Sequence, residues 1–454
     1  MNKKKTKIVA TIGPASENKE TLKKMVEEGL NVMRLNFSHG DFDEHQKRVN
    51  NFREIAKELG VNLGILQDLS GPKIRIGDFE TEQITLEVGQ KFTLTTEEII
   101  GTKEKAYINY PHLSEDLKEG NHVLLDDGKL RLEVKKIEGK DIITEVLIGG
   151  EIRGRRGVNL PGIDIQLNAL TDKDKKDLEF GAKNKVDFVA LSFVRKASDI
   201  KELKELIKVH NFNAKVISKI ETQQAVDNIE EIIKESDGIM VARGDLAIEI
   251  GPERVPEVQK MIIRYCNRNG KPVITATQML ESMIENAVPT RAEVSDIANA
   301  ILDGTDAIML SGETTIGKYP VEVVRVMSRV ALKIEEDLSI KFNGKNSLYN
   351  SKQVVNSVTT SAIYTADEIN AKALIALSNT GFTARMMSRF KSKLPVIALS
   401  PNQKTCNTLS LSFGCQSIKI EKLESITDAL DVVRRVCLER KIAKEGDLVL
   451  VVAG

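Results

Sequence analysis

An excess of charge of one sign is the first thing missing: 66 Lys and Arg face 66 Asp and Glu across 454 residues. Balanced charge excludes the broad basic field of a nucleic-acid binder, and there is no acidic tail. No run approaches the roughly 18 apolar residues of a membrane span. The apolar stretch after the basic "NKKKTK" is cut by Thr11, Gly13 and Pro14, which is too short for a secretory signal. Cysteine is sparse: Cys266, Cys406, Cys415 and Cys437 form no C-x-x-C, a usage that fits reduced thiols in a cytosol. Five histidines give no His-rich metal pattern and no Ser-His-Asp arrangement. Neither usual nucleotide cradle, G-x-x-x-x-G-K-[ST] or G-x-G-x-x-G, is present. Short repeats and low-complexity tracts are absent too. These gaps leave a soluble cytoplasmic globular protein, without nucleic-acid or membrane partners, long enough for about three domains.

What is there alternates. Short β-branched runs occur at 7–13, 31–38, 62–69, 186–193, 214–221, 237–243, 272–277 and 306–311, with helical periodicity between them. In "TQQAVDNIEEIIKES" the residues Ala225, Val226, Ile229, Ile232 and Ile233 share one helical face, and Thr222 can cap it. Eight strand–helix units in one domain predict a closed parallel (β/α)8 TIM barrel rather than an open doubly wound sheet. The third unit is interrupted. Residues 70–162 lose the helical period and read as short strands, with a turn at Asp127–Gly128, so an all-β domain is inserted where barrel loops carry function. A polar stretch from about 345, "NGKNSLYNSKQ", marks a linker to a C-terminal α/β domain. The expected division is 1–69 with 163–340 for the barrel, 70–162 for the inserted lid and 350–454 for the last domain.

Strand period then decides which side chains converge. Arg34, Asn36 and Ser38 share one face of "MRLNFS"; parallel strands are normally covered on both faces, so this polar row belongs at a barrel mouth or in ion pairs. Ile217, Lys219 and Glu221 share a face of the fifth strand, and Asp245 follows the sixth. Two carboxylates from adjacent strand tips match the one or two protein oxygens that Mg2+ takes beside substrate and water. Lys219 beside them offers a point charge for phosphate or enolate oxygens. Thr275 and Thr277 share a face of the seventh strand. A Gly-Asp turn, a buried Thr and a capping His39 each have ordinary structural readings, and only their conjunction at strand ends points to chemistry.

At this point the chain resembles the pyruvate kinase family. "TKIVATIGPAS", "MRLNFSHG", "GPKIR", "GVNLPG", "SKIET", "MVARGDLA", "ITATQMLESM" and "PTRAEVSDIANAILDGTDAIMLSGET" follow in that family's order and spacing. The resemblance implies glycolytic phosphoryl transfer from phosphoenolpyruvate to ADP, giving pyruvate and ATP, usually by a homotetramer. It implies Mg2+ or Mn2+ on Glu221 and Asp245, and Lys219 stabilising the transferring phosphoryl and the enolate. Arg34 would take the phosphate, with the Gly244 and Asp245 backbone and Thr277 holding the carboxylate; Thr277 would also lie near the path of enolate protonation. Arg75, Arg156, His39 and Asn36 would serve the nucleotide, although the family commonly has Lys at position 156. On the residues alone a C–C lyase working through a pyruvate enolate stays open, because it too uses a barrel with a metal-binding Glu and Asp. Arg34, Arg75 and the inserted domain discriminate against it.

Two further stretches carry expectations. "LSNTGFTARMMSRF" places Ser378, Asn379, Thr380 and Thr383 at a strand-to-helix turn suited to a phosphate; in the family the matching loop holds an activating sugar phosphate or nucleotide. Relatives usually continue past "VLVVAG" through a further loop and strand, so effector binding is expected to be weak or lost. In "QDLSGPKIRIG", Lys73 stands where many family members have a glutamate beside a K+ held by oxygens matching Asn36, Ser38, Asp68 and the carbonyl of Leu69. A Lys ammonium and K+ about 4 Å apart repel by about 4 kcal/mol at an effective dielectric of 20. Members with Lys there, and Leu after the Asp, lack the K+ requirement. Lys73, paired with Asp68, is therefore expected to replace the ion, making the enzyme K+-independent.

Overall fold

The computed structural model describes residues 4–336 and 354–453. The linker expected within 343–353, and the domain limits at 340 and 350, lie outside the described residues.

All eight expected strands form: β1 (Lys7–Thr11), β2 (Val32–Asn36), β3 (Gly64–Asp68), β4 (Phe188–Leu191), β5 (Lys215–Ile220), β6 (Gly238–Ala242), β7 (Val273–Ala276) and β8 (Ala307–Leu310). They close into a parallel barrel in the order β1-β8-β7-β6-β5-β4-β3-β2. Each strand is short and almost wholly buried, which parallel sheets covered on both faces demand. Alternation splits the side chains into two sets. Outward residues such as Ile8, Met33, Ile65, Val189 and Val216 pack with the surrounding helices in the largest core. Inward residues Val9, Val32, Leu66, Phe188, Ala190, Ile217, Met240, Ile274 and Ala307 fill the barrel.

One helix differs from its expectation. The periodic stretch after Thr222 forms two helices, Gln223–Asp227 and Ile229–Glu235, with Thr222 accepting from the Ala225 N–H. The break falls at Asn228, whose side-chain amide donates to the Arg195 carbonyl at 2.9 Å. That tertiary bond competes with continuing the helix.

Between β3 and β4 the chain builds a six-stranded, largely antiparallel sheet and a two-stranded ladder pairing Gln83–Leu86 with Gly150–Arg153. They share a separate core around Phe92, Tyr110, Leu125 and Leu132. One helical turn, Leu113–Asp116, interrupts this otherwise all-β insertion. After the barrel, β9 (Leu374–Leu377), β10 (Val396–Ser400), β11 (Cys415–Lys419) and β12 (Leu450–Ala453) form a parallel sheet in the order β11-β10-β9-β12. This α/β unit docks on the end of the barrel where strands begin. Leu411 joins the barrel's inner core. Lys391 reaches Asp306, just before β8, at 2.8 Å, and Lys404 reaches Asp187, just before β4, at 3.2 Å. The opposite end is left for the inserted domain.

Candidate active site

The inward face of the barrel changes character along its length. On β2, β3, β4 and β5 the apolar residues Val32, Leu66, Ala190 and Ile217 are followed two positions later by Arg34, Asp68, Ser192 and Lys219, and then by Glu221. Period-two alternation therefore sends all five polar side chains to one mouth of the barrel. Register brings them level: Thr11 pairs with Arg34, Asn36 with Asp68, and Leu191 with Ser218.

The result is a buried ionic network. Arg34 Nε donates to Asp68 Oδ2 at 2.6 Å, and its Nη1 donates to Thr11 Oγ1 at 2.8 Å. Lys219 Nζ lies 2.9 Å from Glu221 Oε1, 3.6 Å from Asp68 Oδ1, and donates to Ser192 Oγ at 2.8 Å. Glu221 Oε2 accepts from the Phe193 N–H at 2.7 Å. Asp68 and Glu221 are each only 1% exposed. Burial pushes the Asp68 carboxyl upward, but Lys219 and Arg34 outweigh it and hold the group below the ordinary range. Burial likewise works against the Lys219 ammonium, and Asp68 and Glu221 overcome it, so its pKa is raised. Glu221 goes the other way: burial first, then the charge of Asp245, raise it despite Lys219. Two carboxylates that repel each other beside a lysine form a place where a cation is favoured. Among the described residues no group of three or more His, Cys, Asp or Glu is arranged for a metal. Two carboxylates still fit Mg2+, which keeps waters and substrate oxygens among its ligands.

The corner between β6 and β7 adds a second element. Thr277 reaches the site by a backbone turn rather than by sharing a strand face with Thr275. The strand stops at Ala276, Thr275 faces outward to Thr305, and Thr277 adopts φ +69°. A β-branched residue at positive φ is strained. Arg243 holds it there: Nε donates to the Ala276 carbonyl at 3.1 Å, Nη2 to the Thr277 carbonyl at 2.6 Å, and Nη1 to Asp296 at 2.7 Å. Thr277 Oγ1 then accepts from the Gly244 N–H at 3.0 Å. Gly244 and Asp245 open the helix Arg243–Ile250, so Asp245 sits in its first turn.

The remaining candidates are placed as follows. Asn36 turns its Oδ1 back to the Ser38 N–H at 3.2 Å, while Ser38 and His39 are exposed. Arg75 and Arg156 become neighbours where the insertion leaves and rejoins the barrel: the Ile76 N–H donates to the Arg156 carbonyl, and Arg75 bridges to Gly157. Arg156 Nε lies 3.6 Å from Asp126. The expected Lys73–Asp68 pair does not form. Asp68 points into the barrel mouth, where Arg34 and Lys219 occupy it. Lys73 comes after Gly71 (φ +67°) has turned the chain toward the insertion. Its Cε runs so close to Gly157 that an added Cβ there would sit 2.9 Å away. The Leu69 carbonyl accepts from Ser192 Oγ at 2.7 Å. In the C-terminal unit Asn379 and Thr380 are exposed, but Ser378 and Thr383 are buried, so the four do not present one open face. Ser192, Thr11 and Arg243 are the polar residues not singled out from the sequence. The first two were findable by extending the strand alternation, whereas Arg243 depends on the strained corner.

Comparison with known proteins agrees with this geometry. A family model described as pyruvate kinase, barrel domain, matches residues 3–324, and one described as pyruvate kinase, alpha/beta domain, matches 356–454. The chain is similar to a pyruvate kinase of Bacillus licheniformis, 46% identical over 99% of this chain and 78% of that protein. A pyruvate kinase of Clostridium perfringens is 45% identical, over 99% of this chain and 96% of its own length. The crystal structure of a pyruvate kinase from Cryptosporidium parvum superposes with a TM-score of 0.96 at 38% identity, covering all of this chain and 94% of that one. The match spans the barrel and the C-terminal unit alike, which decides against the lyase reading: the chain belongs to the pyruvate kinase family and is a phosphotransferase.

Proposed function

We propose that the barrel mouth binds phosphoenolpyruvate and ADP and passes the phosphoryl group between them with Mg2+ or Mn2+, independently of K+, as a glycolytic step in the cytoplasm. The observation that supports this most is the network in which Lys219 stands among Ser192, Glu221 and Asp68, beside Arg34. Bound on Glu221 and Asp245, a divalent cation supplies charge neutralisation for substrate oxygens. Lys219 stabilises charge on the transferring phosphoryl and on the enolate, and Arg34 holds the phosphate with a fixed fork. The Gly244 and Asp245 N–H groups open a helix and suit the substrate carboxylate, for which the Gly244 N–H gives up its present bond to Thr277 Oγ1. Asn36 and His39 on the barrel rim and Arg75 and Arg156 on the insertion's connections serve the nucleotide, so closing the lid (70–162) over the barrel (1–69 and 163–340) assembles the site. Positioning and charge neutralisation are what phosphoryl transfer chiefly asks of a protein.

The K+ reading rests on what already occupies the pocket. Arg34 holds one Asp68 oxygen and Lys219 stands 3.6 Å from the other, so a further cation here meets two positive charges already in place, and the Leu69 carbonyl already accepts one bond, from Ser192. Lys73 is half-buried on the connector to the lid, with no carboxylate within 4 Å among the described residues; on closure it contributes the positive charge K+ would otherwise bring. In the C-terminal domain (350–454) the Ser378–Thr383 loop is the proposed effector site, for a sugar phosphate or nucleotide, and a homotetramer is the proposed assembly. The test is ATP formation from phosphoenolpyruvate and ADP by the wild type and by Lys219→Met. Activity lost only in the variant supports the assignment, and comparable activity in both contradicts it.

A further inference from the structure

Lys219 has three N–H bonds, and its neighbours are unequal. Glu221 is an anchor that a divalent cation on the same carboxylate would compete for. Asp68 Oδ1, at 3.6 Å, lies beyond hydrogen-bond distance, and the other oxygen of the same carboxylate is held by Arg34 Nε. Ser192 Oγ, at 2.8 Å, is a neutral acceptor that stays available whatever the carboxylates hold. Its hydroxyl has one proton, which the Leu69 carbonyl takes at 2.7 Å, so the lone pairs are left turned toward the ammonium. The residue is only 2% exposed. The backbone of Gly71 packs against it so closely that a Cβ there would lie 2.9 Å from Ser192 Cβ. The next residue, Phe193, is held at φ +53° and gives its N–H to Glu221. One turn thus fixes both the neutral and the charged anchor of Lys219.

We infer that Ser192 is a positioning residue for phosphoryl transfer: its hydroxyl, oriented by the Leu69 carbonyl, sets the direction of the Lys219 ammonium when Glu221 is engaged elsewhere. The inference rests on the function proposed above. It makes Ser192 matter to turnover more than to binding, since a wandering ammonium still attracts substrate but no longer meets the charge that develops during transfer.

The test compares wild type, Ser192→Ala and Ser192→Cys for steady-state kinetics, Mn2+ affinity by electron paramagnetic resonance, and thermal midpoint. Ser192→Ala is expected to lower kcat roughly 10-fold or more while KM for phosphoenolpyruvate and the Mn2+ dissociation constant change by less than about threefold. Ser192→Cys, with similar shape and weaker hydrogen bonding, should fall between. An alanine variant with unchanged kcat overturns the inference, as does a cysteine variant as active as wild type, because shape alone would then suffice. Parallel losses in kcat, KM, Mn2+ affinity and thermal midpoint overturn it as well, marking a packing defect. A wild type that forms no ATP would instead bring down the functional reading itself.

Discussion

A lysine at 13% side-chain exposure between two carboxylates at 1% is costly to build and costly to disturb. Lys219→Met should lower kcat by roughly 10^3-fold, the loss typical of removing one group aimed at developing charge. It also leaves Asp68 and Glu221 short of a partner, so a companion variant is needed. Lys219→Arg keeps the charge but moves it, and should fold while still losing most turnover. Near-normal kcat in a folded Lys219→Arg would mean that charge alone, without its location, suffices. At the β6–β7 corner the expected effect is indirect. Arg243→Lys cannot span Ala276, Thr277 and Asp296 at once, so Thr277 should relax from φ +69° and kcat/KM should fall roughly 10-fold or more. Steady-state kinetics with a structure of the variant would check it; a relaxed corner with intact kinetics would remove Thr277 from the mechanism. At this scale Arg34, Lys219 and Glu221 were legible because alternation aims them. The Lys73 partner was not. A five-residue separation across Gly71 says nothing about which of two domains a long side chain follows.

Elements were more legible than their details, because apolar runs and helical periods are local while breaks and turns answer to distant partners. Every barrel strand fell inside its expected span, yet Asn228 split a helix for a bond to Arg195 that no local pattern announces. Two helices also carry opposed pH effects. On the helix Phe42–Leu59, His45 stacks on Phe37 at 4.4 Å; burial, then Arg48, bring its pKa from 6.5 to about 4. The unfolded chain takes up that proton first, so stability present above pH 6.5 is lost as pH falls toward 4. On the helix Arg243–Ile250, burial raises Glu249 from 4.5 to about 7 against a bond from Asn159 of the insertion. Here the folded state holds the extra proton, so stability present below pH 4.5 is lost as pH rises through 7. Between pH 4.5 and 6.5 the two slopes oppose. His45→Gln should therefore leave a thermal midpoint that falls more steeply with rising pH than in wild type, and Glu249→Gln one that rises more steeply. Midpoints measured at half-unit steps decide it; identical slopes in all three proteins would mean that neither group titrates as its surroundings demand.

The whole molecule is held together across the barrel's closed end by pairs whose partners come from different domains. Asp187, at 2% exposure, accepts from the Ile65 N–H and meets Lys404 from the C-terminal unit. Burial alone raises Asp187 and lowers Lys404, so the pair is stabilising only while intact. Lys404→Met should cost about 3 kcal/mol by stranding the carboxylate, and Asp187→Asn added to it should restore most of that loss. Chemical denaturation of the single and double variants measures it; a loss unchanged in the double variant would place the cost elsewhere. Such long-range pairing is what sequence patterns convey least, whereas the closed barrel follows from strand count and period. The most direct measurement is ATP formation from phosphoenolpyruvate and ADP with Mg2+ in tetramethylammonium buffer, with and without KCl. The account predicts full turnover without K+ and little further activation by it, and a new K+ dependence in Lys73→Glu. Strong activation of the wild type by K+ would contradict the cation assignment, and no ATP under either condition would contradict the account as a whole.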